Sequence, residues 1–400
     1  MDLELAKRLS QPSDSRIILC VLDGLGGLQR PETLRSELMQ ADTPNLDRLA
    51  SRSEVGLTIP VGPGITPGSG PGHLALFGYD PYQYDIGRGV LEAVGIDFPI
   101  GPDDVAARGN FCTVNPDGVI TDRRAGRVST EESSGLVEKL RAIRVKGVEL
   151  FVEPVREHRF VLVLRGSDLD EAVTATDPQR IGVAPLEAQA SRPAAEPTAA
   201  AVRDFVGQAS KVLAGETRAN GLVLRGFSKY PSLPQVGDVW GLRAAALAVY
   251  PMYRGLARLA GMDPLACPGG LEEQLQTVKD RWDDYDYFFI HYKKTDAAGE
   301  DGDFEAKCHA LQEFDHWLPS LLDLEPDVVM IGGDHSTPSL MAAHSWHSVP
   351  FLLRSKFCRP DHVEAFDETA CLLGSLGRFP AVDVMPLAMA HAGRLQKYGA

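Results

Sequence analysis

Carboxylate and imidazole side chains follow three apolar stretches of the sequence, each at a point where a strand should end. The stretches cover residues 17–22, 287–292 and 328–331, and the polar residues that follow them are Asp23, then Lys293, Asp296 and Glu300, then Asp334 and His335. Continuous apolar runs of this length are typical of strands that are buried on both faces of a parallel sheet. Such sheets bind ligands at the carboxyl ends of their strands. A glycine-rich turn would explain one such strand end, but not three.

A serine in the glycine- and proline-rich stretch 61–81 is a candidate nucleophile. The sequence PGSG places Ser69 shortly before a helix that we expect to begin at about His73. Backbone N–H groups and the helix dipole at such a position favour a phosphate group. The alternative is a flexible entry to the helix, because glycine-rich loops alone are weak evidence of function. No Ser-His-Asp order is evident, so we expect a metal ion to activate the hydroxyl group.

Two metal sites can be assembled from these residue types. The first would be built from Asp23, Ser69, Asp334 and His335. The second would be built from Asp296 and Glu300, one helical turn apart, and one histidine of the segment AHSWHSVP. Two divalent cations about 4 Å apart could hold the attacking and leaving oxygens of a displacement at phosphorus.

The length of 400 residues predicts two domains, and 44% apolar residues are enough for two cores. Residues 105–234 combine short strand-like pieces, one helical segment and an Ala/Pro-rich stretch, which indicates an inserted, smaller α+β domain. Segments 1–104 and 235–400 would then form a discontinuous α/β catalytic domain with a mainly parallel sheet. Within it, residues 239–262 show long helical periodicity.

The net charge of −15 argues against a nucleic-acid or anionic membrane surface as a partner. The six cysteines include no CxxC pair, and no export signal or apolar run of membrane length is present. We therefore expect a cytoplasmic enzyme with reduced thiols and a small-molecule substrate. The sequence leaves its oligomeric state open.

Seven motifs, distributed from about residue 16 to residue 390, resemble those of the archaeal-type cofactor-independent (2,3-bisphosphoglycerate-independent) phosphoglycerate mutases. They are DGLGG, TPGSGPGHLALFGYDP, DRRAGR, EHRFVLVLRG, TDAAGEDGD, GGDHSTP and AHSWHSVP. The resemblance implies membership of the alkaline phosphatase superfamily, with its three-layer α/β/α core. It also implies a metal-dependent interconversion of 3-phosphoglycerate and 2-phosphoglycerate through a phosphoserine.

By this resemblance, Ser69 is the nucleophile, one metal ion is held by Asp23, Asp334 and His335, and the other by Asp296 and His344. The family usually has a histidine where this chain has Glu300. Because a carboxylate is a harder ligand than an imidazole, we expect manganese or magnesium in preference to zinc or cobalt. The alternative is that His347 supplies the missing imidazole.

The resemblance also places the motif DRRAGR over the active site, where its arginines would hold the glycerate. We expect substrate contacts from Arg123, Arg124 and Arg127. His158 and Arg159 are weaker candidates, and Lys293 is favoured over Lys294 because it fits the lysine position of the family. The alternative for the arginines is a solvated face. A mutase must keep water from the phosphoserine, and the inserted domain, acting as a lid, would exclude it.

Other functions are compatible with the same metal chemistry. A metal-dependent phosphohydrolase and another phosphomutase of the superfamily are the nearest alternatives, because a fold does not determine function. A sulfatase is disfavoured, since its signature is absent around Ser69. A binding protein without catalysis would not need this full set of ligand residues.

Overall fold

A computed structural model describes residues 1–84, 86–267 and 269–399. The strands are β1 (Ile17–Leu22), β2 (Glu54–Ile59), β3 (Val105–Val114), β4 (Ile120–Asp122), β5 (Glu149–Pro154), β6 (Arg159–Arg165), β7 (Gly221–Ser228), β8 (Ala244–Leu247), β9 (Asp263–Pro264), β10 (Tyr287–Tyr292), β11 (Val328–Gly332), β12 (Val349–Ser355) and β13 (Gly377–Pro380). The helices are α1 (Leu3–Leu9), α2 (Glu37–Gln40), α3 (Pro44–Ala50), α4 (Ser69–Leu76), α5 (Arg88–Gly95), α6 (Thr130–Leu140), α7 (Glu196–Leu213), α8 (Val236–Trp240), α9 (Pro251–Leu259), α10 (Leu271–Asp280), α11 (Lys294–Glu300), α12 (Phe304–Leu322), α13 (Glu368–Leu372) and α14 (Val384–His391). None of the helices in these described ranges is long and apolar enough to span a membrane.

The chain divides into two compact units. The first consists of Met1–Asp85, Leu233–Val249 and Ala257–Ala400, and the second of Ile86–Ser232 and Tyr250–Leu256. The sequence-based boundaries were 104/105 and 234/235, so the first of them lies later in the chain than the structural one. The difference arises because α5 belongs with the second unit, where the Val90 N–H donates to Ser228 Oγ of β7 at 3.3 Å.

The first unit is built on an eight-stranded sheet with the order β13-β2-β12-β11-β1-β10-β8-β9. All neighbouring pairs are parallel except the two that β12 makes, with β11 and with β2. Alternate residues of β1, including Ile18 and Cys20, pack in one core with Trp317 of α12. On the other face, Phe77 at the end of α4 contacts Phe289 of β10. The expected α/β class with a mainly parallel sheet between helices is therefore confirmed.

The sequence-based interpretation of residues 239–262 is wrong in part. This segment contains the last residues of α8, then β8 and α9, instead of continuous helix. Alanine-rich residues 244–247 have high helix propensity, but they pair in parallel with 287–290 of β10, and tertiary pairing overrides the local preference. Helix α4 likewise begins at Ser69, four residues before the expected start.

The second unit is built on a five-stranded antiparallel sheet. Strand β3 is its centre, since it pairs with β4, β6 and β7, and β5 pairs with β6. Helices α6 and α7 contribute Leu136, Val202 and Phe205 to the core on one face of this sheet. The opposite face carries polar residues of β3, β6 and β7, which are described below.

Candidate functional site

Ser69 is the first residue of α4, and only 2% of it is exposed. Its Oγ lies 3.3 Å from Nε2 of His335. The helix can approach this closely because residue 72 is glycine: a Cβ at Gly72 would lie 2.1 Å from the carbonyl oxygen of Asp334. The glycines of the motif therefore allow the amino end of α4 to lie against the loop that follows β11.

The first group of candidate ligands consists of Asp23, Asp334 and His335, all fully buried. Strands β1 and β11 are parallel neighbours, so the residues that follow them emerge side by side. Nε2 of His335 is 3.3 Å from Oδ1 of Asp23 and 3.2 Å from Oδ2 of Asp334. The structure thus brings together all four residues that the sequence assigned to the first site, Ser69 included.

The second group consists of Asp296, His335 and His344. Nε2 of His344 lies 3.6 Å from Oδ1 of Asp296, and its ring stacks on that of His335 with centroids 3.7 Å apart. Nδ1 of His344 is 2.9 Å from the carbonyl oxygen of Pro67, which can only accept. Nδ1 therefore carries the proton, and Nε2 is the atom available to a metal ion.

His335 belongs to both groups, and its hydrogen bond with Thr337 indicates to which of them it can supply a metal ligand. The Thr337 hydroxyl donates to Oδ1 of Asp296 at 2.6 Å, so it must accept from Nδ1 of His335, 2.9 Å away. Because Nδ1 is engaged in this way, Nε2 is the nitrogen that can bind a metal, and it faces Asp23 and Asp334. The second group then has Asp296 and His344 and requires a further ligand.

Two residues are candidates for that further ligand. Oε1 of Glu300, at the end of α11, lies 3.7 Å from Nε2 of His344, and its side chain is 41% exposed. Nδ1 of His347 instead lies 3.0 Å from Ser345 Oγ, and its ring stacks on Trp346. Neither residue belongs to the two close groups, but Glu300 faces the second one.

Lys293 joins the two groups. Its Nζ contacts Oδ2 of Asp23 at 3.0 Å and Oδ2 of Asp296, and Nε2 of His291 contacts the same oxygen of Asp23 at 2.9 Å. The sequence predicted Lys293 as a substrate contact. The structure places its ammonium group among the candidate ligand carboxylates, where it can also neutralise a bound phosphoryl group.

Buried charge shifts the pKa values in this centre. Burial alone would raise the pKa of Asp23, but Lys293, His291 and His335 outweigh it and hold that pKa well below its usual range. Burial disfavours the charged form of His335, yet Asp334 and Asp23 raise its pKa to about 9. The field at His335 is therefore strongly negative, which is the condition for holding a cation.

The residues present fit divalent metal ions. Oδ2 of Asp334 is buried, and its near neighbours are ring nitrogens, Nδ1 of His73 at 3.1 Å and Nε2 of His335 at 3.2 Å. Three buried carboxylates and two imidazoles with defined tautomers offer the oxygen and nitrogen donors that manganese, magnesium or zinc accept. The carboxylates outnumber the imidazoles, which favours the harder cations.

Lys307 on α12 lies beside the candidate site, and the sequence-based reasoning missed it. It is fully buried, and its Nζ donates to the carbonyl oxygens of Gly24, Gly26 and Thr337 at 2.9, 3.0 and 2.8 Å. These carbonyls belong to the two loops that carry Asp23 and His335, so Lys307 fixes one loop to the other. A signal was available, because Lys307 falls on the same helical face as Phe304, Leu311 and Phe314.

The arginine motif of the second unit forms a strained loop. Ala125, Gly126 and Arg127 have φ values of 46°, 64° and 50°, and left-handed conformations in non-glycine residues cost energy. Asp122 holds the loop by accepting from the N–H groups of Arg124 and Gly126 at 2.8 and 2.5 Å. Strain of this kind accumulates at functional sites, which supports a ligand-binding role for the loop.

The predicted substrate contacts of this unit have different partners. Arg123 makes a two-point contact with the buried carboxylate of Asp177, with N–O distances of 3.3 and 2.9 Å. Arg159 pairs with Glu157 at 3.2 Å. Burial, followed by the charge of Arg159 and other arginines, lowers the pKa of His158 to about 3, so this histidine is neutral at physiological pH.

Comparisons with known proteins agree on one family. The model of the family described as 2,3-bisphosphoglycerate-independent phosphoglycerate mutase matches residues 50–218. Proteins of Thermus thermophilus and Aquifex aeolicus, both named "probable 2,3-bisphosphoglycerate-independent phosphoglycerate mutase", are 50% and 47% identical to the chain and match over 100% of both lengths. A solved structure of a Pyrococcus horikoshii protein superposes with a TM-score of 0.84 at 28% identity, over 97% of this chain and 100% of that one. The cofactor-independent phosphoglycerate mutase of Thermoplasma acidophilum superposes with a TM-score of 0.67 at 29% identity, over 95% and 100%.

Lys307→Met should weaken metal binding, because the loops that carry the ligands lose their common donor. We expect manganese affinity to fall about 10- to 100-fold, as for other residues that orient metal ligands. Calorimetric titration with manganese measures this directly. The matched control is Asp315→Asn on the same helix, whose carboxylate accepts from the N–H groups of Asn45 and Leu46 at 2.9 and 2.7 Å, away from the metal loops. Equal losses of affinity in both variants would mean that Lys307 only supports the fold.

Glu300→Ala should bind one metal ion fewer and still unfold cooperatively, because loss of a ligand from a preformed site costs affinity before it costs the fold. Glu300→His should recover the second ion and prefer zinc, since imidazole is softer than carboxylate. Metal content by atomic emission after dialysis against manganese and zinc measures both effects. The control is His347→Ala. If that variant loses the ion and Glu300→Ala retains it, then His347 is the ligand.

Proposed function

The chain belongs to the family of 2,3-bisphosphoglycerate-independent phosphoglycerate mutases, and on this premise we propose that it interconverts 3-phosphoglycerate and 2-phosphoglycerate through a phosphoserine at Ser69, with two divalent metal ions. The observation that carries the phosphoserine is the position of Ser69 Oγ, 3.3 Å from a histidine that belongs to the candidate ligand groups. A serine hydroxyl becomes a good nucleophile only when a neighbouring base or a metal ion helps to remove its proton.

Asp23, Asp334 and His335 would hold one ion, and Asp296 and His344, with Glu300, the other. A divalent cation bound there lowers the pKa of a hydroxyl in contact with it and offsets the charge of a phosphoryl group. The oxygen-rich donor set favours manganese or magnesium over zinc or cobalt.

Ser69 receives the phosphoryl group and later returns it. Its Oγ forms a bond to phosphorus as the bond from phosphorus to the substrate oxygen breaks, and the hydroxyl proton of Ser69 ends on the released glycerate. The other glycerate hydroxyl then attacks the same phosphorus, the bond to Oγ breaks, and the proton of the attacking hydroxyl returns to Oγ. The N–H groups of Ser69 and Gly70, in the first turn of α4, would stabilise the negative charge of the phosphoryl group, whereas Pro71 has no N–H and the Gly72 N–H donates to the Gly68 carbonyl oxygen.

The arginine loop of the second unit would retain the glycerate between the two transfers. Guanidinium groups bind carboxylates through two parallel hydrogen bonds. Arg127 has a φ of 50°, and Arg124 precedes the positive-φ residues of the same loop. A glycerate that stays bound can take the phosphoryl group before water does. This retention is what distinguishes a mutase from a phosphohydrolase with the same metal chemistry.

The purified protein, supplied with manganese and 3-phosphoglycerate, should produce 2-phosphoglycerate with little free phosphate. Ser69→Ala should lower this turnover by at least about 1,000-fold, because the nucleophile is lost, while it leaves metal content and the melting temperature near those of the wild type. Coupled assays follow both products, and rapid acid quench tests for the phosphoserine. Free phosphate as the main product would indicate a phosphohydrolase, and substantial turnover by Ser69→Ala would exclude the phosphoserine.

Replacing both Arg124 and Arg127 with glutamine should reduce mutase turnover more than hydrolysis of an aryl phosphate. The reason is that these arginines are proposed to hold glycerate, which the aryl phosphate lacks. The ratio of kcat/KM values for the two substrates measures the effect. Arg192→Gln is the control, since Arg192 pairs with Asp170 on an exposed surface of the same unit. Equal losses for both substrates would assign the loop to the phosphate group or to the fold.

A further inference from the structure

A fully buried histidine lies one helical turn after the candidate nucleophile. His73 follows Ser69 by four residues on α4. Long side chains of a helix point back over the preceding turn, so the imidazole ring lies beside Ser69. The rings of Phe77, Phe289 and His291 pack against it, with centroids 6.2, 5.6 and 5.3 Å away. Packing within the first unit therefore holds the ring in one orientation.

The tautomer of His73 follows from its neighbour on α4. Nδ1 of His73 is 2.8 Å from the carbonyl oxygen of Ser69, and a carbonyl oxygen can only accept a hydrogen bond. Nδ1 therefore carries a proton and donates to the backbone of the candidate nucleophile. An apolar side chain of similar size could pack in the same place but could not make this hydrogen bond.

The same nitrogen lies beside a candidate metal ligand. Nδ1 of His73 is 3.1 Å from Oδ2 of Asp334, whose other oxygen accepts from the Gly24 N–H at 3.2 Å. Nε2 of His335 is also close to Oδ2, at 3.2 Å, but a nitrogen that binds a metal ion has no proton to donate. His73 is therefore the imidazole that can offer a proton to this side of Asp334.

One N–H group thus lies between the residue that would attack phosphorus and a residue that would hold a metal ion. The backbones are close at the same place, because a Cβ at Gly72 would lie 2.1 Å from the carbonyl oxygen of Asp334. Displacement of α4 or of the loop after β11 would lengthen one of the two contacts of Nδ1. The shared proton opposes both displacements.

We propose that His73 is a positioning residue, whose Nδ1–H group holds Ser69 and Asp334 in register for phosphoryl transfer. This assignment rests on the proposed function. A residue that positions the nucleophile without touching the substrate affects the reacting geometry, and small misplacements of reacting atoms are costly. Loss of the Nδ1–H group should therefore lower kcat and leave the KM for 3-phosphoglycerate near that of the wild type.

Three substitutions separate the hydrogen bond from the packing. The amide nitrogen of asparagine can take the place of Nδ1, that of glutamine can take the place of Nε2, and leucine has neither. A role in packing alone predicts the largest defect for His73→Asn, which removes the most volume from the core. A role for Nδ1–H predicts that His73→Asn is the least affected of the three variants.

We expect kcat to fall about 10- to 100-fold in His73→Leu and His73→Gln and to remain close to that of the wild type in His73→Asn. Calorimetric titration with manganese is a readout that does not depend on turnover. Manganese affinity should follow the same order, because Asp334 is a candidate ligand. Nitrogen-15 NMR of the magnesium-loaded wild type needs no variant for its result, and Nδ1 of His73 should show the chemical shift of a protonated nitrogen.

His391→Leu is the matched control. Nδ1 of His391, on α14, is 2.7 Å from Oγ of Ser355, which pairs with Val328 at the start of β11, the opposite end of that strand from the candidate ligands. This variant should melt at a lower temperature and keep both kcat and manganese affinity. The positioning role is overturned by equal losses in the control, by wild-type behaviour of His73→Leu, by rescue with glutamine instead of asparagine, or by an unprotonated Nδ1.

The mutase function can fail while the role of His73 holds. A wild type that forms no 2-phosphoglycerate, with manganese affinities and an NMR signal as expected, would refute the mutase function. It would leave His73 as the residue that orders Ser69 and Asp334 around a bound metal ion.

Discussion

Negative charge is buried at the carboxyl edge of the large sheet, and the arrangement of charged groups in the first unit depends on how this charge is offset. Strands β11, β1 and β10 are neighbours, so the carboxylates of Asp334, Asp23 and Asp296 lie close together in a place from which water is largely excluded. Burial of like charges is costly unless cations offset it. His335 and Lys293 supply part of the positive charge, and the remaining field is what makes the site suitable for divalent metal ions.

Positive charge is concentrated on neighbouring strands of the second unit. Arg108 and Arg225 are paired across β3 and β7, and Arg88 at the start of α5 packs on Gly226 of β7. Other arginines of the unit are paired with carboxylates, Arg123 with Asp177 and Arg165 with Asp104.

The tautomers and positions of the candidate metal ligands are set by groups that are not themselves candidate ligands. Thr337 determines the tautomer of His335, and the carbonyl oxygen of Pro67 does so for His344. Lys307 holds three carbonyl oxygens of the two ligand loops. Irregular backbone close to a site leaves carbonyl groups without the partners that strands and helices provide, and a buried ammonium group is an economical way to satisfy several of them.

Local patterns in the sequence were sufficient for the strands that carry the chemistry. Continuous apolar runs predicted β1, β10 and β11, and the residues that follow them are the ones that meet around His335. Sequence patterns predicted the wrong structure for alanine-rich β8, where strand pairing opposed helix propensity. They also assigned α5 to the wrong unit, because a helical sequence does not indicate which sheet the helix packs on. Only the tertiary structure decided the tautomers of His335 and His344 and the hydrogen bonds by which Lys307 joins the two ligand loops. The same is true of the pairing of Arg108 with Arg225 across β3 and β7. These depend on strand register and on hydrogen bonds between residues distant in the chain, and neither is recorded in the spacing of residue types along it.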